Sequence, residues 1–162
     1  MAWLIEALDK RKHDREPFAC DKPRRAAEAG TGRTWVAIDS AADSSGRHSV
    51  LGYYTVSMYS VEAGALPEER RRGLPSSRVP AALLGRLAVD RHCQRQGLGK
   101  FLLLDALRRT CAAADQVSAH AVVLDAIDEG AKRFYERFGF LEPTDDSLHL
   151  FLPMASVREL AL

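Results

Sequence analysis

The most informative segment of the chain is LGRLAVDRHCQRQGLGK, which occupies residues 84–100. An apolar run from Leu83 to Val89 has the length and composition of a buried central strand. A polar loop that contains Gly97 and Gly99 follows, and a helix is predicted to begin there. Glycine allows a sharp backbone turn and leaves neighbouring amides uncovered, while a helix N-terminus offers unpaired N–H groups and a partial positive charge. The segment therefore predicts a binding site for a diphosphate.

Two other glycine-rich phosphate motifs are excluded by their spacing. A P-loop carries Ser or Thr after its lysine, whereas Phe101 follows Lys100. The dinucleotide-binding fingerprint of Rossmann folds requires three glycines, and this loop has two. The pattern that remains is Gln/Arg-x-x-Gly-x-Gly, placed after a strand that ends at Leu87–Val89.

The bulk composition is that of a globular domain, with 46% hydrophobic and 28% charged residues among 162, and we expect one domain over residues 1–162. The longest aliphatic or aromatic run, FLLL at residues 101–104, is too short to cross a membrane. The first residues lack the basic start of a signal peptide, so we expect a cytoplasmic protein without membrane contact. The three cysteines and five histidines lack the spacing of metal ligands, so we expect free thiols and no metal site.

Hydrophobic periodicity predicts a mixed α/β fold in which a central, mixed, twisted sheet is flanked by helices. The predicted strands are 34–38, 50–61, 83–89, 121–125, 140–141 and 148–152. The predicted helices are 24–29, 98–114 and one that Asp128 caps and Gly139 ends. Residues 3–8 fit either an edge strand or a first helical turn. A long arginine-rich loop is predicted from Gly64 to Pro80.

A second motif joins the glycine-rich loop. The segment AKRFYERFGF at residues 131–140 matches the A-x-x-F-Y-E-R-x-G-F block of GNAT N-acetyltransferases, and the Gln/Arg-x-x-Gly-x-Gly loop resembles their acetyl-CoA-binding core. This resemblance covers roughly residues 33–153. Within that superfamily, PAALLGRLAVD at residues 80–90 and LHLFLPM at residues 148–154 resemble the TacT-like toxins of bacterial toxin–antitoxin pairs.

The resemblance implies a GNAT-like domain in which two splayed parallel strands hold acetyl-CoA, with no metal. It implies a toxin that acetylates the α-amine of the amino acid on charged tRNA and so blocks translation. It also implies a ribbon–helix–helix antitoxin as partner and is compatible with a homodimer. The family's first third usually carries F-x-C-G, whereas Asp21 follows Cys20 here, so residues 1–32 are expected to be a shortened, atypical segment. The residues assigned to the coenzyme are Leu87, Ala88, Val89, Gln94, Arg95, Gln96, Gly97, Leu98, Gly99, Lys100 and Phe134.

Tyr135 is the candidate general acid, because the matching tyrosine of GNAT enzymes lies near the coenzyme sulfur. A phenol with a pKa near 10 can donate a proton to a leaving thiolate with a pKa of about 8.5. The alternative is a core tyrosine on the apolar face of its helix. A backbone N–H within Leu87–Val89 would polarise the thioester carbonyl. No side-chain base is identified, and because an α-amine has a pKa of about 8, water could suffice. Cys93 is interpreted as a packing residue rather than a nucleophile.

Arginines cluster on the loop before the central strand and along or beside that strand, and a charge run of this kind is either a solvated face or a track for RNA phosphates. The candidates for RNA contact are Arg70, Arg71, Arg72, Arg78, Arg86 and Arg91. Two other functions stay open at this point. One is an N-acetyltransferase for a small amine or a protein, and the other is an inactive module that binds CoA or an antitoxin as a co-repressor.

Overall fold

The computed structural model describes residues 2–14, 32–41, 46–66, 68–74, 77–143 and 148–160. The predicted helix at 24–29 and Cys20 lie outside these residues. The strands are β1 Trp3–Ala7, β2 His13–Asp14, β3 Arg33–Asp39, β4 His48–Glu62, β5 Arg78–Val89, β6 Ala121–Asp125 and β7 His149–Pro153. The helices are α1 Glu68–Arg71, α2 Leu98–Ala114, α3 Glu129–Glu136 and α4 Met154–Glu159, with short 3₁₀ helices at Ala63–Ala65 and Arg91–Cys93.

The strands form a mostly antiparallel seven-stranded sheet in the order β1-β3-β4-β5-β6-β7, with β2 beside β4. The fold class is therefore the mixed α/β class that the sequence predicts. The chain divides into two compact units, and both β4 and β5 contribute residues to each of them.

The first unit comprises residues 1–57 and 85–106. In it β1 runs antiparallel to β3, and β3 runs antiparallel to β4. This answers the question that the sequence left open, because residues 3–7 form a strand at the outer end of the strand order. Apolar side chains that include Val36, Ile38, Val50 and Tyr53 form its core.

The second unit comprises residues 58–84 and 107–162. Here β5 pairs in parallel with β6 from Ala81↔Ala121 to Leu83↔Val123, and β6 runs antiparallel to β7. Its core includes Val61, Val79 and Phe151. Among the described residues, no helix is both long and apolar enough to cross a bilayer.

Several predicted elements agree with the structure residue by residue. Helix α2 and strand β6 have the predicted bounds. Asp128 caps α3, since its carboxylate oxygen Oδ1 accepts the Ala131 N–H at 2.8 Å. Gly139 follows that helix with φ of +97°, in the left-handed region that favours glycine.

The arginine-rich segment differs from its prediction. It holds α1, whose first turn carries Glu68 and Glu69 where the helix dipole favours acidic residues. Strand β5 begins at Arg78, earlier than the predicted residue 83, because side chains alternate between exposed and buried from Arg78 to Ala81. Pro80 hides this strand from sequence reasoning, since proline usually argues against a strand. The predicted strand at 140–141 is a single bridge between Leu141 and Phe151, and α4 was not predicted.

Candidate active site

Strand β5 is followed by a buried polar residue, Asp90, whose position in the first unit is fixed by hydrogen bonds. Asp90 is 6% exposed, and its backbone N–H donates to the Leu51 carbonyl at 2.7 Å. Its carboxylate accepts the His92 N–H at 2.9 Å, which starts the 3₁₀ turn that follows. The predicted coenzyme residues Leu87, Ala88 and Val89 are half-buried directly before this anchor. The hydrogen bonds of Asp90 therefore fix the position at which the end of β5 leads into the glycine-rich loop.

The loop turns through two residues with left-handed backbone. Arg95 has φ of +62° and Gly97 has φ of +86°. A Cβ built on Gly97 meets no atom within 4 Å, so glycine is favoured there by the backbone conformation and not by lack of room. Gly99 differs, because it lies in the first turn of α2 and its φ is not positive.

Helix α2 begins at Leu98, immediately after the turn, and the Phe101 N–H donates to the Gly97 carbonyl at 3.0 Å. The amides at the start of a helix have no partner within it and point outward. Two glutamine side chains brace the loop, with Gln94 Nε2 donating to Val89 O at 3.3 Å and Gln96 Nε2 donating to His92 O at 3.4 Å. The exposed loop thus presents amides and the exposed Lys100 on the same segment, which is the donor set that a diphosphate requires.

Strand β5 pairs with β6 over part of its length. The parallel register ends at Leu83↔Val123, while β5 continues to Val89. An amide-rich ligand binds a strand by β-like hydrogen bonds where a neighbouring strand is missing. The segment Leu87–Val89 lies in this part of β5.

Tyr135 lies on α3 in the second unit, and its side chain is part of an aromatic cluster. It is 8% exposed, and its ring centroid lies 5.1 Å from that of Phe134 and 5.6 Å from that of Phe140. Burial raises the pKa of Tyr135 to about 12. The pKa near 10 expected from an ordinary phenol is therefore too low, and the hydroxyl stays protonated throughout the physiological range.

Phe134, the other aromatic residue predicted for the coenzyme, is half-buried on the same helix. Its ring lies 5.3 Å from that of Phe138, and the Arg137 guanidinium carbon lies 5.7 Å from its centroid. Sequence reasoning missed Lys132, two residues earlier, which is 5% exposed and forms an ion pair with Glu142. A charged residue at that position reads as solvent-facing until the loop after the helix covers it.

The arginines predicted for RNA occur in both units. Arg71, Arg72 and Arg78 belong to the second unit and are exposed, and Arg78 Nη1 donates to Ser60 Oγ at 2.7 Å. In the first unit, Arg91 is exposed and Arg86 is half-buried. Arg70 is the third residue of α1, and its side chain lies outside the described part of the structure.

Two cysteines lie in the described part of the chain. Cys93 and Cys111 are free thiols, and Cys93 is buried beside the loop. Burial, and after it the negative charge of Asp90, raises the pKa of the Cys93 thiol, which lowers the fraction of reactive thiolate. Within the described ranges, no three His, Cys, Asp or Glu side chains form a group able to hold a metal ion.

Comparison with known proteins adds an independent finding. Residues 30–142 match the family described as acetyltransferase (GNAT) domain. A protein of Mycobacterium tuberculosis (strain ATCC 25618 / H37Rv), the tRNA-acetylating toxin, is 41% identical over 111 residues, which are 68% of this chain and 66%, just under two thirds, of that relative.

Two solved structures are similar over nearly the whole chain. AtaT complexed with acetyl-methionyl-tRNAfMet has a TM-score of 0.85 and 27% identity, with 99% of this chain and 100% of that chain covered. A tyrosine-to-phenylalanine mutant of the AtaT toxin, bound to the C-terminus of the antitoxin AtaR and to acetyl-CoA, has a TM-score of 0.80 and 26% identity, with 98% and 97% covered.

Proposed function

Because this chain belongs to the GNAT acetyltransferase family, whose acetyl donor is acetyl-CoA, we propose that it acetylates the α-amine of an aminoacyl-tRNA and thereby stops translation. The observation that carries the proposal is the left-handed turn at Arg95 and Gly97, which leads from the end of β5 directly into the N-terminus of α2. The likeness to a tRNA-acetylating toxin and to a tRNA-bound AtaT supports the choice of substrate.

The first unit supplies the groups that hold the coenzyme. The amides at the start of α2 and the cationic Arg95 and Lys100 bind the diphosphate. The open space around Gly97 fits this assignment, since no atom lies within 4 Å of a Cβ built there. The backbone of Leu87–Val89 binds the pantetheine arm by β-like hydrogen bonds.

Acetyl transfer then needs little from side chains. At pH 7 part of an α-amine with a pKa of about 8 is neutral and attacks the thioester carbonyl carbon. A backbone N–H of Leu87–Val89 stabilises the negative charge that develops on the carbonyl oxygen. When the C–S bond breaks, the Tyr135 hydroxyl gives its proton to the leaving sulfur, while the surplus amine proton passes to water. Tyr135 regains a proton from solvent before the next turnover.

The exposed arginines and a partner protein complete the proposal. Arg71, Arg72, Arg78 and Arg91, with Arg70 and Arg86, contact tRNA phosphates and carry little sequence information. An antitoxin binds and silences the enzyme, as supported by the AtaT structure that contains the AtaR C-terminus. We assign that antitoxin to the ribbon–helix–helix class, the active toxin to a homodimer and its site of action to the cytoplasm, where charged tRNA is found.

The test is incubation with labelled acetyl-CoA and total charged tRNA, with deacylated tRNA and spermidine as parallel acceptors. We expect label on charged tRNA alone, released by mild alkali as an N-acetyl amino acid. Label only on the small amine or on protein would contradict the proposal in favour of another acetyltransferase. Acetyl-CoA binding without any transfer would contradict it in favour of a non-catalytic co-repressor.

A further inference from the structure

Strand β4 carries an irregularity where the coenzyme segments of the first unit meet. Its pairing with β3 shifts from Ala37↔Gly52 to Ile38↔Val50, which leaves Leu51 as an extra residue on β4. The carbonyl of this extra residue accepts the Asp90 N–H at the end of β5. Bulges of this kind redirect a strand and are common beside active sites.

Gly52, next to the bulge, lies in close contact with both coenzyme segments. A Cβ built on Gly52 would stand 2.8 Å from Leu102 Cδ1, 3.0 Å from the Ala88 carbonyl oxygen and 3.4 Å from Leu98 Cδ2. Leu102 and Leu98 are 0% and 1% exposed, so neither side chain has solvent to turn into. The Ala88 oxygen is backbone and moves only with β5. A methyl group at position 52 must therefore displace α2 at Leu102, the end of β5, or both. A displaced helix carries its first turn with it.

We infer that Gly52 is a positioning residue for the coenzyme, which sets the spacing between Leu87–Val89 on β5 and the first turn of α2. This inference rests on the proposed assignment of those two segments to pantetheine and diphosphate. A ligand that spans both segments depends on their spacing, because its two parts are joined by covalent bonds. A ligand that occupies one segment does not depend on it.

The test compares the affinities of CoA and ADP for the wild-type protein and for Gly52→Ala, measured by calorimetry. ADP carries the diphosphate and lacks the pantetheine arm. We expect CoA affinity to fall by about tenfold or more, since a displacement near 1 Å is costly in a preorganised site, and ADP affinity to change by less than about threefold. Gly85→Ala is the matched control, because a Cβ there would lie 3.8 Å from its nearest atom, the Thr55 carbonyl oxygen, and we expect it to change neither affinity.

Equal losses for CoA and ADP, or an unchanged CoA affinity, would overturn the inference. Should Gly52→Ala not fold, Gly52→Ala/Leu102→Ala is measured against Leu102→Ala. The shortened side chain removes the contact with α2 and leaves the 3.0 Å approach to the Ala88 carbonyl oxygen, so the end of β5 is still displaced and the same two criteria apply. The calorimetric samples contain no RNA. If the protein did not acetylate charged tRNA, the measured CoA and ADP affinities would still test the role of Gly52. Conversely, wild-type acetylation of tRNA with equal losses for both ligands would refute only the role of Gly52.

Discussion

Replacing Tyr135 with phenylalanine separates the two interpretations of this residue. The ring contacts with Phe134 and Phe140 remain in Tyr135→Phe, since only the hydroxyl is lost. In the described part of the chain, that hydroxyl has no hydrogen-bond partner, and burial is the cause of its raised pKa. We therefore expect the free energy of unfolding to change by less than about 1 kcal/mol at pH 7.

The expected catalytic loss is larger and follows from the buried phenol. The pKa of Tyr135 is raised to about 12, whereas a coenzyme thiol has a pKa of about 8.5. Proton transfer to the free thiolate would be uphill by about 5 kcal/mol, so the transfer must be coupled to C–S cleavage and to reprotonation of the tyrosine by solvent. Removing this donor should lower kcat by about 10²–10⁴-fold, or about 3–5 kcal/mol of barrier.

Single-turnover acetylation of charged tRNA, with acetyl-CoA affinity and melting temperature measured on the same samples, tests this expectation. An acetyl donor whose thiol is more acidic should narrow the difference between wild type and Tyr135→Phe, because a good leaving group needs no proton. An unchanged kcat would exclude the acid role. A loss of rate that is matched by a loss of stability would make Tyr135 a core residue only.

Three further measurements address other parts of the molecule. Gly97→Ala should weaken acetyl-CoA binding and destabilise the fold by about 1–2 kcal/mol of backbone strain, because φ is +86° there. Calorimetry measures the affinity and thermal melting measures the stability, and an unchanged affinity and melting temperature would contradict the assignment of this loop to the site. The triple variant Arg71→Ala, Arg72→Ala, Arg78→Ala should weaken binding to many tRNAs and reduce the slope of log affinity against log salt concentration by about one unit per lost contact. Activity on charged tRNA equal to that of wild type at two salt concentrations would contradict the assignment of these arginines to RNA binding. Because the unfolded chain loses the Tyr135 proton near pH 10 and the folded chain holds it to about pH 12, stability should fall by about 3 kcal/mol across that window. Between pH 9 and pH 12, wild type should lose about 3 kcal/mol more stability than Tyr135→Phe, as measured by denaturation.

The elements that were predicted correctly are those whose buried residues follow a simple pattern along the sequence, such as helical spacing or a continuous apolar run. Helix α2 shows Leu103, Ala106 and Leu107 at helical spacing, and these three are at most 2% exposed. Strand β6 is continuously apolar because its faces are covered, which needs no knowledge of its neighbours. The Asp128 cap and the Gly139 stop are likewise readable, because each acts within a few residues.

Features set by distant residues were not predictable in this way. The sequence shows a glycine at position 52, but not the Leu102 side chain and Ala88 carbonyl that approach it. The pKa of Tyr135 depends on the burial of its ring, which the order of residues on α3 does not reveal. The burial of Lys132 depends on Glu142, and nothing in the sequence around Lys132 indicates that Glu142 pairs with it.

Arg95 adopts a backbone conformation that suits glycine, with φ of +62°. A non-glycine residue there costs about 1–2 kcal/mol, a deficit the fold tolerates at functional turns. Glycine at this position would relieve the strain, although its greater freedom in the unfolded chain offsets part of the gain. Such a chain would be more robust to heat and would bind its coenzyme less tightly, because the guanidinium would be gone. The proposed contact of the Arg95 guanidinium with the diphosphate would account for an arginine at a position where the backbone favours glycine.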